Sequence, residues 1–205
     1  MVIGVTGGVG AGKSTVLEIL EKEYGARLIF CDDVARDLQK CGGASYDAIV
    51  KYFGEDILSG GPGSEIDRKA LAKIVFNDEE KLKTLNSLTH PLVKEEVMHL
   101  INRYYSEDPE RPVVIEAALL LEAGYKSFLD ELWCVVADDE IRIKRLMESR
   151  GYSRQRALDM MKSQKTNEEF ISSCDLAIYN SGDIDDTKKQ IKDRIGFLNA
   201  KDSCN

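Results

Sequence analysis

The sequence predicts an α/β fold of three layers, with helices on both faces of a five-stranded parallel sheet, a helical insertion and a short helical lid. Three observations carry that prediction. Short apolar runs alternate with stretches of helical spacing, the pattern of successive βα units that build a parallel sheet covered on both sides. The first apolar run ends in a glycine-rich stretch that opens a helix. Between the second and third runs, residues 34–107 carry helical patterns and no strand signal.

In chain order, residues 2–5 form a short apolar run ending in glycines, a buried strand. Residues 13–24 have helical spacing, with Val16, Leu17 and Leu20 on one face and Glu18, Glu21 and Lys22 on the other, and Gly25 stops the helix. Residues 27–31 read as strand two, running into Asp32-Asp33. Tyr46, Ile49, Val50 and Phe53 mark a one-sided helix, and Gly60-Gly61-Pro62-Gly63 a turn. Asp67 can cap a helix to about Phe76, Asn77 or Asp78 can start another, and Pro91 opens a long one faced by Val93, Val97, Leu100, Ile101 and Tyr104. Residues 113–115, 132–137 and 176–179 are strands three to five; helices are expected over 138–150, 153–164 and 184–198. The expected division is a core of residues 1–33, 108–138 and 166–205, an insertion at 34–107, and a lid at 139–165.

Composition narrows the classes. At 205 residues, 43% hydrophobic and 31% charged, the chain fits a soluble domain with a real core. Five cysteines, none in C-x-x-C spacing, argue against a zinc ribbon or a secreted disulfide scaffold, and read as free thiols in a reducing cytoplasm. The opening MVIGVTGG has no basic region or apolar stretch of leader length, and no run is long enough to span a membrane. The net charge of −8 disfavours nucleic acid as a partner. Residues 139–165 run against that trend, with eight Lys or Arg against four Asp or Glu. This segment is either a solvated helix face or an anion site.

Gly7-Gly8-Val9-Gly10-Ala11-Gly12-Lys13-Ser14 fills every fixed position of G-x-x-x-x-G-K-[ST], after a strand and before a helix. Such a loop turns backbone N–H groups toward an anion, and the helix N-terminus adds partial positive charge. Lys13 supplies a full charge toward β- and γ-phosphates, and the Ser14 hydroxyl can ligate Mg²⁺ between them. The fold expected is therefore P-loop NTPase-like. The alternative is a glycine-rich turn that binds nothing.

No N-K-x-D base-reading motif and no D-x-x-G after strand three is present, which argues against a GTPase switch. Glu116 stands where an acid holds Mg²⁺ through water in many such proteins, or simply caps the next turn. Asp32, at the carboxyl end of strand two, is placed to accept a proton from an acceptor hydroxyl. Asp33 could take that role instead, or one of the pair caps the next helix. Arg142, Arg145, Arg150, Arg154 and Arg156 are candidates to neutralise the charge of a transferring phosphoryl group, with Gly151 as hinge and the segment as a water-excluding lid.

Seven stretches in register then resemble the dephospho-CoA kinase family: I-G-V-T-G-G-V-G-A-G-K-S-T, C-D-D-V-A-R, D-R-K-A-L-A-K-I-V-F from Asp67, L-N-S-L-T-H-P at 85–91, A-L-L-L-E at 118–122, S-Q-K-T around Gln164 and C-D-L-A-I-Y-N-S-G at 174–182. The departures are Phe30 and Ala118, where the family pattern has Asp and Pro. The resemblance implies ATP- and Mg²⁺-dependent phosphorylation of the ribose 3′-hydroxyl of dephospho-CoA in the cytoplasm, by a monomer or weak homo-oligomer. It implies Asp32, Lys13 and Arg145 as catalytic residues and Gly8, Val9, Gly10, Ala11, Gly12, Lys13, Ser14, Thr15 and Asn180 as the nucleotide site. Ser14 is the metal contact; Arg36, Arg68 and His90 are contacts to the CoA-side substrate. Two rival readings are another small-metabolite kinase of the same fold and a nucleotide-binding switch. For Arg68 and His90, the rival roles are a surface charge at a helix end and a helix cap.

Overall fold

A computed structural model describes residues 1–76, 78–117 and 125–202. Asn77, the A-L-L-L-E stretch at 118–122 and Cys204 lie outside the described residues. Two compact units separate: Met1–Leu28 with the chain from Asp108 onward, and Ile29–Glu107. Five strands, β1 (Val2–Thr6), β2 (Arg27–Phe30), β3 (Val113–Glu116), β4 (Glu131–Val136) and β5 (Leu176–Tyr179), form one parallel sheet in the order β2-β3-β1-β4-β5. Nine α-helices lie among the described residues: α1 (Lys13–Tyr24), α2 (Cys31–Leu38), α3 (Tyr46–Phe53), α4 (Arg68–Phe76), α5 (Glu79–Glu107), α6 (Asp139–Arg150), α7 (Arg154–Lys162), α8 (Asn167–Ser173) and α9 (Ile184–Asp202).

β1 is central, with Val5 opposite Glu116 on one side and Trp133 on the other. β1 and β4 are buried along their whole lengths, as strands covered on both faces must be. Alternation along β4 divides its side chains between those faces. Trp133 and Val135 join Val5, Leu20 of α1 and Ile191 of α9 in one cluster. Cys134 and Val136 meet Phe170 of α8 in another. Buried Glu131 accepts hydrogen bonds from Trp133 Nε1 at 2.7 Å and Arg194 Nε at 2.9 Å, tying β4 to α9.

In the second unit, α3, α4 and α5 share a core built on Tyr46, Ile49, Ile57 and Leu71, with Leu85 and Leu88 against it. Asp67 Oδ1 accepts the N–H groups of Lys69 and Ala70 and so caps α4. Asp78 Oδ1 accepts from Lys81 N at the start of α5.

The structure corrects three sequence expectations. Cys31, Asp32 and Asp33 belong to the first turn of α2 rather than to the end of strand two, because β2 stops at Phe30. Pro91 does not open a helix; α5 runs through it from Glu79 to Glu107, so His90 is mid-helix and caps nothing. An interior proline costs about 3 kcal/mol, and burial of Thr89 before it and Val93, Val97 and Ile101 after it outweighs that cost. Finally, α8 was not expected. Its start is fixed by a capping box, Thr166 Oγ1 accepting Glu169 N while Glu169 Oε2 accepts Thr166 N.

Candidate active site

The loop from Gly7 to Gly12 joins β1 to α1 in the first unit. Its form follows from where its carbonyls are held. In a trans peptide the C=O of one residue and the N–H of the next point in opposite directions, so an anchored carbonyl aims the following amide. Gly7 O accepts from Lys13 Nζ at 2.9 Å, and Gly8 O from Ala11 N at 3.2 Å. Val9 O accepts from Arg142 Nε at 3.0 Å. Ala11 O accepts twice, from Asn180 Nδ2 at 2.9 Å and Arg145 Nη1 at 3.1 Å. The Gly10 and Gly12 amides are thereby turned away from the side chains of Arg142, Arg145 and Asn180. Gly12 O then accepts from Thr15 N and Val16 N as α1 begins.

These anchors leave no room for a side chain at Gly8 or Gly12. A Cβ on Gly12 would lie 2.1 Å from Asn180 Nδ2, at a φ of +93°. A Cβ on Gly8 would lie 2.4 Å from Arg142 Nη2. Asn180 is itself held: buried at the end of β5, it accepts from Thr187 Oγ1 at 3.0 Å through Oδ1 and from Arg145 Nη2 at 2.8 Å through its carbonyl.

The arginines of residues 139–165 divide into two sets. Arg142 and Arg145, one turn apart on α6, both reach the loop. Arg142 is buried, pairs with Asp139 at 3.3 Å, and has an Nη2 without a hydrogen-bond partner among the described residues. Burial, partly offset by Asp139, pushes its guanidinium below the ordinary arginine value. Arg154 instead pairs with Glu140, and Arg156 lies 4.1 Å over the Tyr152 ring, both contacts within the α6–α7 hairpin. Arg150 is exposed at the end of α6.

Lys13 Nζ lies 3.9 Å from Glu116 Oε1 at the end of β3. Ser14, on the first turn of α1, is exposed. Among the described residues no group of three or more His, Cys, Asp or Glu side chains could hold a metal. A divalent cation bound chiefly by phosphate oxygens and water, with one hydroxyl from the protein, fits this donor set.

The second unit carries its own polar cluster. Asp33 pairs with Arg36 one turn along α2. Arg68, the first residue of α4, donates from Nη2 to Gln39 Oε1 at 3.0 Å. Burial and then the Arg36 charge push the Arg68 guanidinium below its ordinary value, with Asp32 and Asp33 opposing. Asp32, Asp33, Arg36 and Arg68 are thus brought together. Among the described residues no hydrogen bond or ion pair joins His90, half-buried on α5, to them.

A family model for dephospho-CoA kinase matches residues 1–186. The chain belongs to that family. It is 41% identical over 190 residues to the dephospho-CoA kinase of Carboxydothermus hydrogenoformans, covering 93% of this chain and 90% of that protein. Its structure resembles that of a Thermus thermophilus protein at 31% identity, with a TM-score of 0.80 and 97% of each chain covered. It also resembles the dephospho-CoA kinase of Campylobacter jejuni at 25% identity, with a TM-score of 0.70 and 98% of each chain covered.

Within this dephospho-CoA kinase family member, the structure groups the residues expected from the sequence by unit. Gly8, Val9, Gly10, Ala11, Gly12, Lys13, Ser14, Thr15, Arg145 and Asn180 are in the first, and Asp32, Arg36, Arg68 and His90 in the second. The sequence reading gave no loop-bracing role to three residues, of which it had named Arg142 only as a candidate to neutralise phosphoryl charge. Thr187 holds Asn180, Arg142 holds Val9 O, and Gln164 Oε1 accepts Val9 N at 2.8 Å. Gln164 stood in a recognised stretch without a role. Nothing in the spacing of Arg142 or Thr187 points to a bond across more than a hundred residues or to a buried amide.

Proposed function

We propose that the protein transfers the γ-phosphoryl group of ATP to the ribose 3′-hydroxyl of dephospho-CoA, giving CoA and ADP, the last step of CoA biosynthesis. What supports the reading is the family match over residues 1–186 in a chain whose phosphate loop keeps every anchor just described.

The Gly10 and Gly12 amides and the N-terminus of α1 bind the β- and γ-phosphate oxygens, and Lys13 leaves Gly7 O to bridge them. Asp32 takes the 3′-hydroxyl proton as that oxygen attacks the γ-phosphorus; the bond from phosphorus to the β-phosphate oxygen breaks, and ADP leaves. Asp33 is engaged in its pair with Arg36, which leaves the base role to Asp32. Arg145 adds charge on the nucleotide side, and Asn180 fixes the loop beneath it. Arg36, Arg68 and His90 contact dephospho-CoA, whose phosphates suit guanidinium donors. The Ser14 hydroxyl would hold Mg²⁺, with Glu116 acting through water, and the ion would supply charge neutralisation of the phosphates. The reading assigns the cytoplasm and a monomer or weak homo-oligomer.

The test is a purified-protein assay with Mg²⁺ and ATP, offering dephospho-CoA beside a panel of other alcohols. CoA and ADP should form in equal amounts with dephospho-CoA preferred. Asp32→Asn should lower kcat by about 100-fold or more and leave ADP binding intact. Transfer without acceptor preference, or wild-type turnover in Asp32→Asn, refutes the assignment.

A further inference from the structure

Val9 is one of the unspecified positions of the phosphate-loop pattern, yet it is held from three directions. Its side chain, 8% exposed, packs with Ile143, Leu146 and Ala157 in the core of the α6–α7 hairpin. Its carbonyl accepts from Arg142 Nε on α6 at 3.0 Å. Its N–H donates to Gln164 Oε1 at 2.8 Å, and Gln164 lies just after α7. The two bonds act on the two peptide planes that flank one residue. With both planes fixed, the φ and ψ of Val9 are fixed, and so is the direction of the Gly10 N–H.

We propose that Gln164 and Arg142 are positioning residues for the phosphoryl-transfer reaction: by clamping Val9 they preset the phosphate loop and join it to the α6–α7 hairpin. The inference rests on residues 7–14 being the ATP phosphate site. The Gly10 N–H belongs to the same rigid plane as the Val9 carbonyl, so any swing of that carbonyl away from Arg142 turns the amide out of the cradle. Gln164 supplies the other half. Without its acceptor, Val9 N–H seeks water or a neighbouring carbonyl, and the 8–9 peptide rotates. The contact also runs in reverse. A hairpin that moves must either carry Val9 with it or break both bonds, so nucleotide on the loop favours one hairpin position and the hairpin favours one loop form. That is a coupling between the two by linkage. Residues 139–165 thereby act on the nucleotide through a backbone residue and not only through arginine charge.

The exposed position of Gln164 makes it the safer site to change. Gln164→Met keeps length and removes the acceptor. It should raise KM for ATP and the Kd for ADP about fivefold, the scale of one hydrogen bond. KM for dephospho-CoA and the thermal midpoint should stay as in the wild type, a split that a general loss of fold would not give. In ¹⁵N-labelled protein without nucleotide, exchange of the Val9 amide should accelerate. Arg142→Met should raise the same two constants further, about tenfold or more; it can also lower the midpoint, and for that reason Gln164→Met decides the question. The clamp is refuted by unchanged ADP affinity in Gln164→Met, by equal rises in both KM values, or by unchanged Val9 exchange. A wild-type protein that does not bind ADP would instead overturn the reading of the loop itself.

Discussion

Gly12→Ala adds one methyl group to the phosphate loop, and two features of the structure set its cost. Gly12 has φ +93° and ψ 34°, in the left-handed region where a Cβ crowds the next carbonyl at about 1–2 kcal/mol. The added Cβ would also lie 2.1 Å from Asn180 Nδ2, so Asn180 must move and give up its 2.9 Å bond to Ala11 O. In a buried site an unmade bond costs about 1–3 kcal/mol. The two together come to about 3 kcal/mol, or roughly 100-fold in ADP affinity if the loop bears it. Titration calorimetry with ADP measures that loss, and a thermal melt records any share taken by the fold. The same substitution in an Asn180→Ala background has no amide to displace, so what remains is the backbone strain and a 3.2 Å approach to Arg145 Nη1, the far end of a flexible side chain, for about a tenfold loss. The difference is the coupling energy of the pair. Equal losses in both backgrounds would refute the claim that Asn180 occupies the space that keeps position 12 glycine.

Three further outcomes follow from single contacts. Lys13→Ala should cut kcat by at least about 100-fold, the effect of losing one preset charge donor at a transferring phosphoryl group, as read in the coupled ADP-release assay. Thr187→Val leaves Asn180 Oδ1 without its buried donor; at about 2 kcal/mol the thermal midpoint should drop by about 5 °C, with ADP affinity falling as the Asn180 amide loosens. Thr166→Ala removes half of the capping box of α8, and should lower the midpoint by about 2–4 °C without changing either KM.

Where the sequence was legible, the reason is periodicity or a fixed local conformation. β1 reads as a strand because the apolar run of residues 2–5 ends in glycines, and the loop reads as a phosphate site because each fixed position has a local job. The errors come from long-range packing or from an element too short to carry a period. Pro91 is a good helix opener by local rules, but burial on either side carries α5 through it. The Thr166–Glu169 box was readable, yet α8 is short and its apolar face is chiefly Phe170, too little for a periodic signal. In the candidate site, the loop and Asn180 were legible and their bracing was not. Arg142 and Arg145 differ by one turn and look alike in composition, but only the fold shows that one grips Val9 and the other Ala11.

A phosphate loop faces a conflict that the pattern of anchors here resolves. Its amides must stay available until the anion arrives, but a short loop rich in glycine has carbonyls close by that compete for those amides. Occupying the carbonyls removes the competition. Here Lys13, Arg142, Arg145 and Asn180 donate to the carbonyls of Gly7, Val9 and Ala11, three of the loop's peptide units. Three of those four donors are cations, so the same bonds that orient the amides place positive charge behind the loop. In a chain of net charge −8, that local charge draws an anionic nucleotide to this edge of the molecule. Arg154 and Arg156, bound within their own hairpin, contribute neither effect, and this separates the arginines that shape the cradle from those that merely make the segment basic.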